Sequence, residues 1–202
     1  MIISNKISHS IVHNLSENQR INSEYTEAYQ YCIEQFLDLV IFNLSLLILG
    51  ALFSRFSLAI AYIITLTPVK MLAGGAHANS RGLCSFLSYS VFLGAVFLFP
   101  YLPFSKLCIL IMLLPIETLI FFLTPVKHPN KDFSKEQTKR LKLALLNYLI
   151  GLTIIIGVLA AIDKTDLLKL IILCLLIVLF NQLIGILIYY NPIHLHPKKR
   201  RS

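Results

Sequence analysis

The sequence lacks the paired cysteine and histidine motifs that hold metals or disulfides in small proteins. Its four cysteines are scattered along the chain without CxxC spacing: Cys32, Cys84, Cys108 and Cys174. This argues against a zinc knuckle or a disulfide framework, so we expect reduced thiols. The pairs His9/His13 and His194/His196 have metal-compatible spacing, yet neither has the nearby third ligand that zinc needs. We therefore predict no metal and no cofactor.

Other absences exclude further classes of protein. There is no internal repeat and no GxxxG pair, so neither a transporter-like duplication nor a defined helix-dimer seam is indicated. The first 35 residues are polar and lack a compact apolar run before a small-residue cleavage site, which argues against a cleavable signal peptide. Acidic residues are scarce, 10 against 18 Lys and Arg, but the basic residues sort by loop. Because they form no aromatic-interleaved surface, we predict no nucleic-acid partner.

What the sequence does have is apolar length. Hydrophobic residues make up 56% of the 202 residues, the mean hydropathy is +0.74, and three charge-free runs reach the length that spans a bilayer: Gly82–Ser105, Leu143–Ile162 and Leu170–Pro197. Since lipid offers unpaired backbone groups no partners, the spans must be helical. We predict a single all-α membrane domain over residues 1–202, with six spans at about 36–54, 56–73, 83–104, 106–124, 142–162 and 167–190. The first two spans are short, and a re-entrant hairpin there would leave the topology unchanged.

The distribution of charge predicts the orientation. With both termini in the cytoplasm, all but four of the 18 Lys and Arg residues lie inside, as the positive-inside rule expects. The four outside are Arg55, Lys106, Lys164 and Lys169. Residues 1–35 are predicted to form one or two amphipathic helices on the inner leaflet, and the tail 191–202 ends in four basic residues that would attract anionic lipid. The basic segment Pro125–Arg140 is either a topogenic loop or a dock for an acidic peptide.

Two reactive side chains flank the turn between the second and third predicted spans. His77 and Cys84 are seven residues apart, and in one straight helix they would be separated by roughly 10 Å, too far for proton transfer. The chain must therefore bend. Gly74-Gly75 before His77 and Ser80-Arg81-Gly82 before Cys84 supply the bend, because glycine adopts backbone angles closed to other residues. Cys84 would lie at the start of the third span, where the helix dipole and Arg81 both favour a thiolate. A cysteine in an apolar helix is commonly an inert packing residue, so spacing alone leaves catalysis open.

The motif Gly74-Gly75-Ala76-His77-Ala78 followed by Cys84, in a basic six-span chain of this length, resembles the signature of the accessory gene regulator B (AgrB) family. The resemblance implies a cysteine endopeptidase of the bacterial cell membrane with His77 and Cys84 as its catalytic pair. Such an enzyme cuts an AgrD-like propeptide, helps to cyclise it into a quorum-sensing pheromone, and is a homodimer.

Less specific matches to the family are Glu34 before the first span, Lys70 ahead of the histidine, and the loop from Lys127 to Lys131. The family commonly carries arginine near Lys70, so the lysine argues against bidentate binding of a carboxylate there. We expect Glu34, Lys70, Gly75, Arg81, Lys127 and Lys131 to support the site or bind substrate.

Two alternatives remain open from the residues. Glu117 is a carboxylate within a predicted span, and such residues commonly have a function. It would be the coupling residue of a transporter, or else it forms a hydrogen bond between helices. A non-catalytic scaffold would bind a partner through the basic loop and tail, and would tolerate the loss of Cys84. The sequence also leaves open whether the cyclic product is a thiolactone or a lactone.

Overall fold

The computed structural model describes residues 2–17, 25–76, 81–97, 101, 103–126 and 133–190. Within these ranges the chain is helical and contains no β-strand, so the all-α prediction is confirmed for them. The helices are α1 Ile2–Glu17, α2 Thr26–Leu52, α3 Phe56–Ala73, α4 Arg81–Phe97, α5 Lys106–Leu123, α6 Lys135–Ala161 and α7 Thr165–Tyr190.

Five of these helices are long and apolar enough to cross a membrane by length and composition: α2, α3, α5, α6 and α7. They correspond to five of the six predicted spans. The remaining one, predicted at 83–104, contains α4, which is a shorter apolar helix of 17 residues. Its crossing of the membrane, and the side on which the termini lie, stay predictions.

The outward surfaces of the long helices are apolar. Ile111 and Phe122 of α5, Ile154 of α6, and Phe180 and Leu187 of α7 each expose more than 60% of their surface. Water-soluble monomers rarely expose contiguous apolar patches of such extent. The surface therefore suits a hydrocarbon environment, in agreement with a multi-pass membrane protein.

The chain divides into two compact units, Met1–Phe56 and Ser57–Ser202. In the first unit α1 packs against α2. The buried residues of α1 are Ser4, Ser8 and Val12, four apart and therefore on one face of the helix, whereas Ile7 and Ile11 are exposed. The N-terminal segment is thus helical and its serine face is the buried one, while its placement on the inner leaflet stays a prediction.

The core of the second unit is built around α7. This helix packs against α4, α5 and α6, and its buried residues run from Leu168 to Gly185. In α5 the core positions are Ile109, Leu113, Ile116 and Ile120, and α6 repeats the same 4-3-4 spacing from Leu145 to Ile156. Alternating steps of three and four residues keep one stripe facing the neighbouring helices, as in bundles that pack at small crossing angles.

A proline within α3 is compensated from α6. Pro68 has no backbone N–H, so the carbonyl of Ile64, four residues earlier, loses its helical donor. The hydroxyl of Tyr148 in α6 donates a hydrogen bond to that carbonyl. The bond ties α3 to α6 about two and a half turns before the end of α3, from which the segment that leads to the candidate site begins.

Two sets of contacts mark opposite ends of the second unit. The ammonium of Lys106, at the start of α5, lies 2.6 Å from the carboxylate of Asp163 in the turn between α6 and α7. At the other end, the backbone N–H of Val126, just after α5, donates to the carbonyl of Ala73, the last residue of α3. The end of α3 and the end of α5 therefore share one side of the bundle, as the predicted order of spans requires.

Candidate functional site

Cys84 lines a small cavity in the second unit, which we call the Cys84 cavity. Its volume is about 140 Å³, and three helices and the segment after α3 form its walls. The lining residues are Tyr62, Leu66, Lys70, Ala76, Cys84, Leu87, Ser88, Val91, Ile177, Val178 and Asn181. Polar groups from α3, α4 and α7 therefore meet at this cavity.

Cys84 lies at the N-terminal end of α4. It is half-buried and belongs to the first turn of α4, which begins at Arg81, so the positive end of the helix dipole lies close to it. The other cysteines lie elsewhere. Cys174 is fully buried in the core, Cys32 is exposed on α2, and the thiol of Cys108 lies 3.8 Å from the sulfur of Met112.

The segment Ala73–Ala76 leaves α3 by a turn that depends on two glycines. Gly74 and Gly75 have φ of 74° and 149°, a region that other residues rarely adopt. A Cβ on Gly75 would lie 2.5 Å from the side-chain oxygen of Asn181. The predicted break before His77 therefore occurs at the two glycines, whereas Arg81 and Gly82 of the second predicted bend already belong to α4. Gly75 also permits a close approach to α7.

Neighbouring residues of α7 hold both ends of this segment. The backbone N–H of Ala76 donates to the carbonyl of Asn181 at 3.2 Å, and the side-chain amide nitrogen of Gln182 lies 3.4 Å from the carbonyl of Ala73. Gly185, one turn further along α7, makes room, because a Cβ there would lie 2.9 Å from the nitrogen of Ala76. The segment is thus fixed to α7 through its backbone.

Gln182 also caps the end of α5. It is fully buried, and its amide nitrogen lies 3.3 Å from the carbonyl of Ile120 and 3.1 Å from the hydroxyl oxygen of Thr124. Thr124 in turn donates to the carbonyl of Ile120 at 2.7 Å. One side chain therefore joins the C-terminal ends of α3 and α5, whose last carbonyls have no partners within their own helices.

Of the predicted site residues, the structure brings Lys70, Gly75 and Cys84 together around this cavity. Lys70 lies in the last turn of α3 and lines the cavity with Cys84, while Gly75 is buried beside Asn181. Glu34 is nearly buried in α2 of the first unit, so its predicted part in the site stays a prediction. The others lie partly or wholly outside the described residues: His77, Lys127 and Lys131 entirely, and Arg81 in its side chain.

Asn181 and Gln182 are the residues of this region that sequence reasoning did not assign to the site. They were recognisable as two adjacent polar side chains within an apolar span, and the sequence predicts only interhelical hydrogen bonding for them. The signal that could have raised them further is the occurrence of two adjacent polar side chains in an otherwise apolar span.

Glu117 lines a different and larger cavity of about 370 Å³ between α5 and α6, which we call the Glu117 cavity. The hydroxyl of Thr153 lies 2.9 and 3.1 Å from the two carboxyl oxygens of Glu117, and 2.9 Å from the carbonyl of Leu149. Glu117 is only 7% exposed. The carboxyl group therefore has a partner within the unit, and no residue lines both cavities.

Comparisons with known proteins agree on one family. The family model for accessory gene regulator B, AgrB, matches residues 4–188. A protein of Clostridium perfringens (strain 13 / Type A) named "Putative AgrB-like protein 2" is 26% identical to this chain over 141 residues. The match covers 66% of this chain and 66% of the relative, so the chain spans just under two thirds of the relative's length. No solved structure matches the chain.

Proposed function

Because the chain belongs to the accessory gene regulator B family, we propose that it is a membrane cysteine endopeptidase acting on an AgrD-like quorum-sensing propeptide. Family membership supports a role in propeptide processing. The observation that carries the enzymatic proposal is the Cys84 cavity, which Lys70 and Ala76 also line. It combines a thiol, a cation and the end of the segment that leads directly to a histidine.

The proposal assigns the nucleophile to Cys84 and the general base to His77. His77 follows Ala76 directly, so their Cα atoms are about 3.8 Å apart by covalent geometry alone. Ala76 in turn lines the cavity and is held by the carbonyl of Asn181. A base attached to a fixed segment beside the thiol is the arrangement that activates a cysteine nucleophile. Arg81, at the start of α4, is proposed to favour the thiolate further.

In the first step His77 takes the proton of the Cys84 thiol, and the sulfur attacks the carbonyl carbon of the scissile peptide bond. The C–S bond forms and the C–N bond breaks, while His77 returns the proton to the leaving amine. The products are an acyl-enzyme thioester and a free C-terminal fragment.

In the second step a nucleophilic side chain upstream in the bound propeptide attacks the thioester carbonyl. The new bond closes a ring, and the sulfur of Cys84 leaves and recovers its proton. The carbonyl of a thioester transfers its acyl group readily to a nucleophile, so ring closure needs no ATP. A site that limits the access of water favours this attack over hydrolysis of the intermediate.

The Cys84 cavity is small. Its volume of about 140 Å³ lies below the ~300–1,000 Å³ typical of small-molecule sites, so we propose that it takes only the groups at the scissile peptide bond and that the rest of the propeptide binds outside it. Lys70 supplies a positive charge at the cavity, and we propose that it binds an acidic group of the substrate as a single charge. Glu34, Lys127 and Lys131 are proposed as further substrate contacts.

The proposed setting is the bacterial cell membrane, with six spans and both termini in the cytoplasm. We propose that anionic lipid binds the basic C-terminal residues and that the enzyme works as a homodimer. The membrane then confines an amphipathic propeptide to two dimensions beside the site.

Co-expression with an AgrD-like propeptide tests the proposal. Mass spectrometry of membranes with the wild-type enzyme should detect the released C-terminal fragment and a peptide–enzyme thioester, and both should be absent with Cys84→Ala. Cys108→Ala is the matched control, because Cys108 lies outside the cavity lining and should leave both products unchanged. Equal cleavage by wild type and Cys84→Ala would refute the proposal.

One observation favours a second candidate function, transport. Glu117 is a nearly buried carboxyl within a candidate membrane span and lines the larger cavity. As a transporter, the protein in proteoliposomes would carry substrate or protons, and Glu117→Gln would abolish that flux. The single carboxyl already has a partner in Thr153, which is why we place peptidase activity first.

A further inference from the structure

The Glu117 cavity lies at the apolar outer surface of the helices. Leu114, Ile150 and Ile154 line it and each expose more than half of their surface, whereas Leu149 is buried. Six of the nine lining residues are apolar, and the volume of about 370 Å³ lies within the ~300–1,000 Å³ range of ligand sites. The cavity therefore offers an apolar groove to the surrounding lipid.

A lysine lies at one end of this cavity. The ammonium of Lys142, in α6, is 5.4 Å from the centroid of the Phe121 ring, and Phe121 lines the cavity. Lys139 is exposed and lies on the same face of α6, three residues earlier. Among the described residues neither lysine forms an ion pair with a carboxylate. Two positive charges therefore lie beside the cavity without an anionic partner in that part of the chain.

The face of α6 that carries the two lysines also forms a wall of the cavity. Lys139 and Lys142 are followed at intervals of three or four residues by Leu146, Leu149 and Thr153, all of which line the cavity. Side chains at this spacing lie one above another on a helix. The lysines thus continue the wall of the cavity beyond its apolar part.

The length of the cavity matches one leaflet of a bilayer. The helix from Lys142 to Ile154 is about 18 Å long at the rise of an α-helix. Half of the hydrocarbon core of a bilayer is about 15 Å thick. A hydrocarbon chain that starts at the level of Lys142 therefore reaches the middle of the bilayer near the far end of the cavity.

We propose that the Glu117 cavity binds an acyl chain of an anionic glycerophospholipid, whose phosphate lies between Lys139 and Lys142. The cavity supplies apolar contact and the lysines supply charge, and basic pockets between membrane helices bind anionic lipid headgroups in this way. The site is separate from the basic C-terminal residues. Because it concerns lipid binding alone, it does not depend on the proposed peptidase activity.

The carboxyl group of Glu117 lies away from these charges. The hydroxyl of Thr153 is 2.9 Å from one of its oxygens, and Thr153 is about 16 Å along α6 from Lys142. The carboxyl group therefore lies beside the acyl chain and does not repel the phosphate at close range.

Fluorescence quenching by brominated lipid tests the proposal. The sequence contains no tryptophan, so Phe121→Trp introduces a single fluorophore on the wall of the cavity and keeps an aromatic ring beside Lys142. The purified full-length variant is placed in phosphatidylcholine vesicles that contain a minor fraction of brominated phosphatidylglycerol or of brominated phosphatidylcholine with the same chains. The relative affinity for phosphatidylglycerol should be at least about fivefold higher, the ratio that one basic residue contributes near an anionic lipid.

Phe180→Trp is the matched control for the position of the fluorophore. Phe180 is exposed on α7 and does not line the cavity. It lies at a level similar to that of Phe121, because the amide of Gln182 in α7 is 3.3 Å from the carbonyl of Ile120 in α5. This variant should show equal affinity for the two lipids.

Arg140 provides the matched control for charge. It precedes Lys142 by two residues and therefore lies on nearly the opposite side of α6, where its guanidinium pairs with Glu136 at 2.5 Å. In the Phe121→Trp protein, Lys142→Gln should lower the selectivity for phosphatidylglycerol by about fivefold, whereas Arg140→Gln should change it by less than about twofold. Both replacements remove one positive charge, so a difference between them reports on the cavity.

The contrary results are distinct. Equal quenching of Phe121→Trp by the two lipids, or equal losses of selectivity with Lys142→Gln and Arg140→Gln, would overturn the inference. Weak quenching by both lipids would show that protein, such as a second copy of the chain, covers the cavity, and would overturn it as well.

A second measurement serves if Phe121→Trp does not accumulate in membranes. Native mass spectrometry of the protein released from vesicles counts the phosphatidylglycerol molecules that stay bound. Lys142→Gln should retain fewer of them than Arg140→Gln, and equal retention by the two variants would overturn the inference.

Discussion

The Cys84 cavity and the Glu117 cavity are built in different ways. The Cys84 cavity is formed by three helices and a non-helical segment, and its polar side chains come from separate elements. The Glu117 cavity lies between two regular helices, α5 and α6. The carboxyl group of Glu117 forms a hydrogen bond with the hydroxyl of Thr153. The smaller cavity, about 140 Å³ against about 370 Å³, has the more varied chemistry.

The difference indicates that the ends of helices bring more kinds of polar group together in this bundle than the space between two helices does. Within a helix the backbone groups bond one another, whereas at an end they need partners from elsewhere. At the end of α3, Gln182 and Val126 supply donors to the carbonyl of Ala73. The same contacts fix a segment that a regular helix could not place beside Cys84.

The largest effect should come from removing the thiol of the Cys84 cavity. Cys84→Ala should lower the rate of cleavage by at least about 1,000-fold, because the nucleophile forms the acyl-enzyme and no other cysteine lines the cavity. Single-turnover cleavage of a synthetic propeptide in vesicles measures the loss. Cys32→Ala, on the exposed face of α2, is the control and should retain the full rate. Residual cleavage above about one tenth of wild type would remove the chemical distinction between the cavities.

The next effect should come from filling the space at Gly75. In Gly75→Ala the new Cβ would lie 2.5 Å from the side-chain oxygen of Asn181 at a φ of 149°, so the segment must move or strain. Strained backbone of this kind costs about 1–3 kcal/mol, and we expect cleavage to fall by about 100-fold. Cleavage and thermal unfolding in detergent are the measurements.

Gly151→Ala is the matched control for that change. A Cβ at Gly151, on α6, meets no atom within 4 Å, and alanine is favoured over glycine within a helix by about 1 kcal/mol. Its stability should rise slightly and its cleavage should be normal. Normal cleavage by Gly75→Ala would mean that the close approach of the segment to α7 is not needed for activity.

A smaller effect is expected for Gln182→Leu, which tests whether joined helix ends support the site. The variant loses the contacts to Ala73, Ile120 and Thr124, but Val126 and Thr124 still donate to the two carbonyls. Interhelical hydrogen bonds in membranes average about 0.6 kcal/mol, so the loss of stability should be about 1–2 kcal/mol. Cleavage should fall about tenfold, measured with unfolding in the same detergent. Unchanged cleavage would show that the segment keeps its place without this amide.

The fold could be predicted from sequence where length and apolarity decide it. Long apolar runs identified helices α6 and α7, and also α5 although Glu117 interrupts its run, since a bilayer leaves the backbone few alternatives. The first and last residues of the helices were harder to predict from the sequence. Helix α2 begins at Thr26, ten residues before the predicted span, because a helix can continue beyond the apolar run into polar residues. Within the described residues the predicted third span contains the 17-residue helix Arg81–Phe97.

The site could be predicted only where its residues lie close together in the sequence. The Gly74-Gly75 turn and the cavity position of Lys70 follow from residues close to Cys84 in the chain. Asn181 and Gln182 are about a hundred residues away, and their contacts depend on the register of α7 against the end of α3. No local pattern specifies that register. It results from packing of the whole core, including the small residue at Gly185.

The smallest effect is expected in the Glu117 cavity, and it is the one that could break the comparison. Glu117→Gln preserves shape and an acceptor for Thr153, so stability should change by less than about 1 kcal/mol and cleavage by less than about twofold. Thr153→Val is the informative companion, because it leaves the nearly buried carboxyl without that donor and should lower stability by about 1–3 kcal/mol. Unfolding in detergent and propeptide cleavage measure both variants.

A tenfold or greater loss of cleavage by Glu117→Gln at normal membrane abundance would mean that the two cavities act together, although they share no lining residue. The carboxyl would then belong to the working mechanism, and measurement of proton or peptide flux in proteoliposomes would decide whether it serves transport.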